Sequence, residues 1–187
     1  MKKTIKAILG LIVTLIALTA QAKECGTVRW SVKIGIDSDA QLIKLDKVYS
    51  KSINALSHKK PLGHPPQSSR VKPTEISLYK VTATLTDYKR SADDHDYHLV
   101  LDDGKGHTMI AEIPDPSCVR DRGPLASEIK NARQQFDAEY SVTGSFKKVD
   151  RRVKVTGVGF YDHIHGQRGV APNGIELHPV LNIEFLN

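Results

Sequence analysis

The sequence predicts a mainly β domain with one central helix, an α+β fold arranged as an OB-like five-stranded Greek-key barrel. Three observations predict it. Apolar residues alternate through five separate runs between Glu75 and Phe185. One stretch, Pro124 to Tyr140, instead carries them at helical spacing. That helix falls between the third and fourth strands, the element order of an OB-type barrel. An α+β sandwich is the alternative packing of the same elements.

The first 22 of the 187 residues have the form of a cleaved export signal. Lys2, Lys3 and Lys6 precede an apolar run from Ala7 to Leu18, and Ala20-Gln21-Ala22 supplies the small-x-small cleavage pattern. The run is shorter than the roughly 20 residues of a membrane span, and no later stretch approaches that length. Cys25 follows Lys23-Glu24 rather than a lipobox, which argues against a lipoprotein. The expected product is therefore residues 23–187, periplasmic or extracellular, with no transmembrane segment. Losing three lysines lowers its net charge from +6 to +3, which permits a polyanionic partner without arguing for one. The two cysteines, Cys25 and Cys118, have no C-x-x-C context, so one disulfide between them is expected in an oxidising compartment.

Residues 23–56 read as an N-terminal strand/helix extension. From Thr27 to Asp37, Val28, Trp30, Val32, Ile34 and Ile36 share one parity and Arg29, Ser31, Lys33 and Gly35 the other, the pattern of a half-buried strand. Ser38 or Asp39 then caps a short helix carrying Leu42, Leu45 and Tyr49, resuming towards Ile53 and Leu56. Residues 57–73, with four prolines, form a connecting loop. Residues 74–187 form the barrel domain. Its first strand runs from Glu75 through Leu85, with a parity shift near Lys80 that suggests a bulge. Tyr97 to Asp102 and His107 to Ile113 make a hairpin about Asp103-Gly104. After the helix come strands from Arg152 to Tyr161, where Gly157 and Gly159 permit a bend, and from Ile175 to Phe185.

Functional interest concentrates in Gly159 to Phe185, which holds three of the eight histidines. Ile175, Leu177, Leu181, Ile183 and Phe185 share the core-facing parity, so Glu176, His178 and Glu184 point the other way. Pro179 lacks an N–H and marks an edge or a bulge. If the preceding connection folds back, His163, His165, Glu176 and His178 approach one another. His163, His165 and His178 are then candidate ligands for zinc or another borderline divalent ion, with Asp162 or Glu176 as catalytic base. His98, with Asp94 or Asp96, extends the set. The competing reading is a structural network, in which His178 bonds backbone and Asn173-Gly174 merely turns the chain. Asp93, Asp94 and Asp96 with Asp102 and Asp103 read as solvated hairpin ends, since no EF-hand spacing is present. Neither G-x-S-x-G nor a P-loop occurs.

The ending resembles the C-terminal signature of a family of uncharacterised secreted bacterial proteins. The matching residues are Phe160, Tyr161, Asp162, His165, Gly166 and Gln167, then Ala171 to Asn173 and Ile175 to Val180. Arg29 to Lys33, Asp96 to Leu101 and Met109 to Pro114 match the same family. The resemblance implies secretion and a shared domain, and no mechanism.

Two function classes follow. The first is an exported OB-like binding domain for an anionic or polymeric ligand, an oligonucleotide or an oligosaccharide. Its candidate contacts are His98, Gln167, Arg168 and Asn173, joined by Lys80, Tyr88, Lys89 and Arg90. The second is a metal-assisted secreted hydrolase such as a nuclease, although the D-G-D-T stretch of thermonuclease-like enzymes is absent. An envelope or host-interaction factor is a further alternative, with its protein partner unspecified.

Overall fold

The computed structural model describes residues 25–60, 63–119 and 123–187, so the expected leader lies outside the described residues. Among the described residues there are six strands: β1 Val48–Ser50, β2 Leu78–Arg90, β3 Tyr97–Asp102, β4 Thr108–Ile113, β5 Lys147–Tyr161 and β6 Ile175–Phe185. The α-helices are α1 Trp30–Lys33, α2 Ile53–Ser57, α3 Pro116–Val119 and α4 Ala126–Glu139. The strands form one mixed sheet in the order β1-β2-β3-β4-β6-β5, and β2 also pairs with β5. The fold is thus α+β and mainly β, with one strand more than the five expected. Among the described residues no helix is long and apolar enough to cross a membrane.

The extra strand corrects the N-terminal reading. Leu42, Leu45 and Tyr49 do not share a helix. A 3-10 turn at Ala40–Leu42 is followed by β1, which zips parallel to Leu78–Lys80. Upstream, the expected strand is absent and α1 takes its place. Alternation failed there because Arg29 belongs inside: it is 1% exposed, whereas Val28 is 47% exposed. Arg29 sits in the left-handed region at φ 52°, which breaks an extended run and turns its side chain inward.

All five guanidinium donors of Arg29 are used. Two go to Glu75 at 2.7 and 2.8 Å, and the others to the carbonyls of Tyr161, Ser69 and Pro66. The Glu75 carboxylate also accepts from the amides of Val71 and Tyr161. The guanidinium lies over Phe160, 4.4 Å from its ring centroid. The Cys25–Cys118 disulfide, across 93 residues, ties the same N-terminal segment to α3.

Three register shifts shape the sheet. The β2 register shifts between Leu85 and Asp87, rather than near Lys80. In β6, Leu177 faces Gly159 and Val180 faces Gly157, so His178 and Pro179 together oppose Val158. This bulge and a second shift that leaves Leu181 unpaired break the expected parity at Leu181, while Ile175, Leu177, Ile183 and Phe185 keep the main-core side. Val180 faces the main core with Ile175 and Leu177, while Leu181 joins a second cluster with Ile34, Leu125 and Val158. Gly157 leaves room for the bulge, and Gly159 for the close approach of the Thr74 turn. A Cβ at Gly157 would lie 2.9 Å from the Pro179 carbonyl oxygen, and one at Gly159 would lie 2.8 Å from that of Thr74. Along α4, Ile129, Ala132 and Phe136 are fully buried. Phe136 packs against Tyr88, Tyr97, Tyr140 and Phe185 at centroid distances of 5.4–5.9 Å.

Candidate functional site

Strand register assembles the site. The antiparallel β3–β4 hairpin sets His98 opposite Glu112. The short parallel β4–β6 pairing sets Ile110 beside Glu176 and Ala111 beside Leu177, so one step further Glu112 meets His178. Asp94 and Asp96 enter from the segment before β3, and Lys33 from α1. These groups underlie a cleft of about 520 Å³ whose walls include Lys33, Asp94, His98, Glu112, Phe146 and Glu176.

His178 is fully buried between carboxylates. Its Nδ1 lies 3.1 Å from Glu176 Oε1, to which it is hydrogen-bonded, and 3.1 Å from Glu112 Oε2. Its Nε2 lies 3.2 Å from Asp96 Oδ2, off the line that a hydrogen bond requires, so neither atom has an aligned partner. His98 Nδ1 meets Glu112 Oε1 at 3.0 Å and its Nε2 meets the Arg168 carbonyl at 2.9 Å. Both of its partners accept only, so both ring nitrogens must donate while Glu112 is ionised. That makes His98 an imidazolium.

Titration of the cluster follows from this geometry. Burial opposes a charge on His178, but contacts with Asp96, Glu112 and Glu176 raise its pKa well above the usual imidazole value. Burial likewise opposes a charge on His98, and the hydrogen bond and charge of Glu112 raise it. Glu112 pays for burial too, yet His178 and His98 hold it well below the carboxylate range. Burial and the charge of Glu112 push Glu176 up to about 7. Burial, Asp96 and Glu112 push Asp94 up to about 6. Lys33 is raised against burial by Glu112, Glu176, Asp162 and Asp94.

These shifts fix the sign of a pH dependence. With chelator present, stability supplied by His178 is complete below its unfolded value of about 6.5 and is lost as pH rises through its raised folded value. Glu176 and Asp94 ionise more readily when unfolded, so they remove stability as pH climbs from about 4 to 7. Glu112 acts in the opposite sense, its contribution disappearing as pH falls through its depressed folded value. The urea midpoint should therefore be higher at pH 5 than at pH 8, and Glu176→Gln should flatten the decline between pH 5 and 7. A midpoint that rises towards pH 8 would contradict the assignment.

The other expected site residues separate. His165 is exposed and lines the cleft mouth with Asp162, while the His163 ring lies 6.4 Å from that of His64. Among the described residues, the set whose donor atoms lie within 4.8 Å of one another is Asp96, Glu112 and His178, without His163 or His165. Gln167 bridges its own loop, donating to the His163 carbonyl and accepting from the His165 amide. Arg168 pairs with Asp87 at 2.9 Å and, like Lys89, lies over Phe146 at the cleft rim. Asn173 is buried, its amide donating to the carbonyls of Leu56 and Lys59. Tyr88 faces the core rather than a ligand. Lys80 is half-buried and Arg90 exposed, neither at the cleft wall. Asp94 and Asp96 are buried, which corrects the reading of this acidic run as a solvated hairpin end.

Sequence reasoning missed Glu112 and Lys33 as cleft residues. Glu112 was detectable, because a hairpin turn at Asp103-Gly104 already sets it opposite His98. Lys33 was hidden by the strand assigned to its segment.

No protein-family model matches the chain, nor does any curated protein sequence. Among solved structures, the chain is similar to the crystal structure of "a putative aspartyl-tRNA synthetase from Leishmania major Friedlin". The identity is 12% and the TM-score 0.44, over 73% of this chain and 20% of that one. So loose an overlap carries no argument about this chain.

Proposed function

We propose that the chain is an exported OB-like binding protein whose cleft takes a neutral, hydroxyl-rich ligand, a segment of oligosaccharide. The closed run of pairings β2-β3-β4-β6-β5-β2, with α4 between β4 and β5, supports the OB-like reading. The disulfide suits an oxidising compartment. The observation that carries the ligand class is the cleft's charge pattern. Five carboxylates (Asp93, Asp94, Glu112, Asp162, Glu176) share its wall with four cations, Lys33, Lys89, Arg168 and the His98 imidazolium that Glu112 already neutralises. A phosphate backbone laid there would meet more acid than base. Sugar hydroxyls suit both, donating to the carboxylates and accepting from the cations. This choice favours the oligosaccharide over the oligonucleotide.

Titration with neutral tetra- to hexasaccharides should give binding that changes little with added salt. Asp94→Asn should weaken it by roughly ten-fold or more, the worth of one charge-assisted hydrogen bond. Binding to single-stranded DNA with a steep salt dependence, and none to the sugars, would overturn the reading. Hydrolysis at the same floor is a second reading, favoured by the convergence of Asp96, Glu112 and His178. Its test is product release from the same oligosaccharides and from single-stranded DNA.

A further inference from the structure

We propose that Asp96, Glu112 and His178 form a site for one divalent transition-metal ion of the zinc or manganese type. The proposal is independent of which polymer the cleft binds. The β3–β4 hairpin and the distant β6 deliver these residues to one point, and their donor atoms lie within 4.8 Å of one another. Convergence of acids alone would not suffice. The second observation is that Asp96 Oδ2 and His178 Nε2 are both buried without a hydrogen-bond partner and face each other at 3.2 Å. Two donors each about 2.0–2.1 Å from a tetrahedral ion stand roughly 3.3 Å apart, so this pair is already spaced as two metal ligands.

The surroundings are arranged as metal sites require. Glu176 Oε1 lies on the Nδ1 side of His178, which fixes the ring and turns Nε2 towards Asp96. His98 holds Glu112 Oε1, and Glu112 Oε2, which lies 3.1 Å from His178 Nδ1, becomes the third donor when its carboxylate turns towards the Nε2 side of the ring. The amide of Asp115 donates to the other oxygen of Asp96, which leaves Oδ2 for the ion. Glu112 and Glu176 line the open cleft, so an ion has a path from solvent. One imidazole with two carboxylates favours zinc or manganese over calcium and magnesium, which prefer all-oxygen shells.

The test uses the disulfide-bonded exported chain, stripped with chelator and titrated calorimetrically with zinc chloride and, separately, manganese chloride. One ion per chain is expected. Asp96→Asn keeps the side-chain shape and should weaken binding by roughly 100-fold or more, and Glu176→Gln, a positioning change, by about 10–100-fold. His58→Ala, which removes an exposed imidazole away from the cleft, should leave it unchanged. Absence of saturable binding, or wild-type affinity in a folded Asp96→Asn, overturns the proposal. Should Asp96→Asn fail to fold, manganese broadening of ring signals in the wild-type chain decides. Loss of the His178 and His98 signals before that of His58 supports the site, and broadening confined to exposed imidazoles overturns it.

Discussion

Arg29→Met should lower the free energy of unfolding by about 3–5 kcal/mol, the usual penalty for stranding one partner of a buried ion pair. Arg29 and Glu75 have no exposed side-chain surface, and Glu75 would be left buried without its counter-charge. The loss extends beyond the pair. Arg29 also ties together the carbonyls of Pro66, Ser69 and Tyr161, so the 66–69 loop, the end of β5 and the N-terminal segment lose a common anchor. For a chain of this size the melting temperature should fall by roughly 6–20 °C. Arg29→Met with Glu75→Leu should recover part of the loss, because replacing both partners removes the uncompensated charge. A fall below about 1 kcal/mol in urea unfolding would show that Arg29 is not the anchor described.

Removing the disulfide by Cys25→Ser with Cys118→Ser should cost about 2–5 kcal/mol. The 93-residue separation places this bridge near the upper end, because a long closed loop restricts the unfolded chain most. The loss should also be local. Cys25 lies eight residues before Lys33, which reaches the cleft, and Cys118 six after Glu112 in its floor. Amide exchange in the double variant should therefore speed up first at residues 29–36, with β2 and β5 remaining protected. Uniform acceleration across the sheet would instead mean that the bridge only constrains the unfolded state.

The strands of the main sheet were legible because their side chains obey a simple alternation, with prolines and glycines at their ends. Ile175–Phe185 was bounded correctly for that reason. The N-terminal segment was not, because alternation assumes that charge faces water. Arg29 violates the assumption, and only a distant carboxylate, Glu75, makes its burial tolerable. Within the site, Glu176, His178, His98 and Asp96 stood out as polar residues at regular strand positions or just before one. Their convergence was not legible, since it depends on the parallel β4–β6 pairing and on a bulge at His178-Pro179. The histidines of the preceding loop drew attention by number, yet His165 reaches only the cleft mouth.

The most direct test of the cleft as the functional site is a map of amide and ring signals in isotopically labelled residues 23–187, titrated with neutral hexasaccharide. Saturable shifts at Lys33, His98, Phe146 and Arg168, with none at β1 or the solvent face of α4, are predicted. Shifts confined to surfaces outside the cleft, or a titration with no shift while the chain stays folded, would contradict the account.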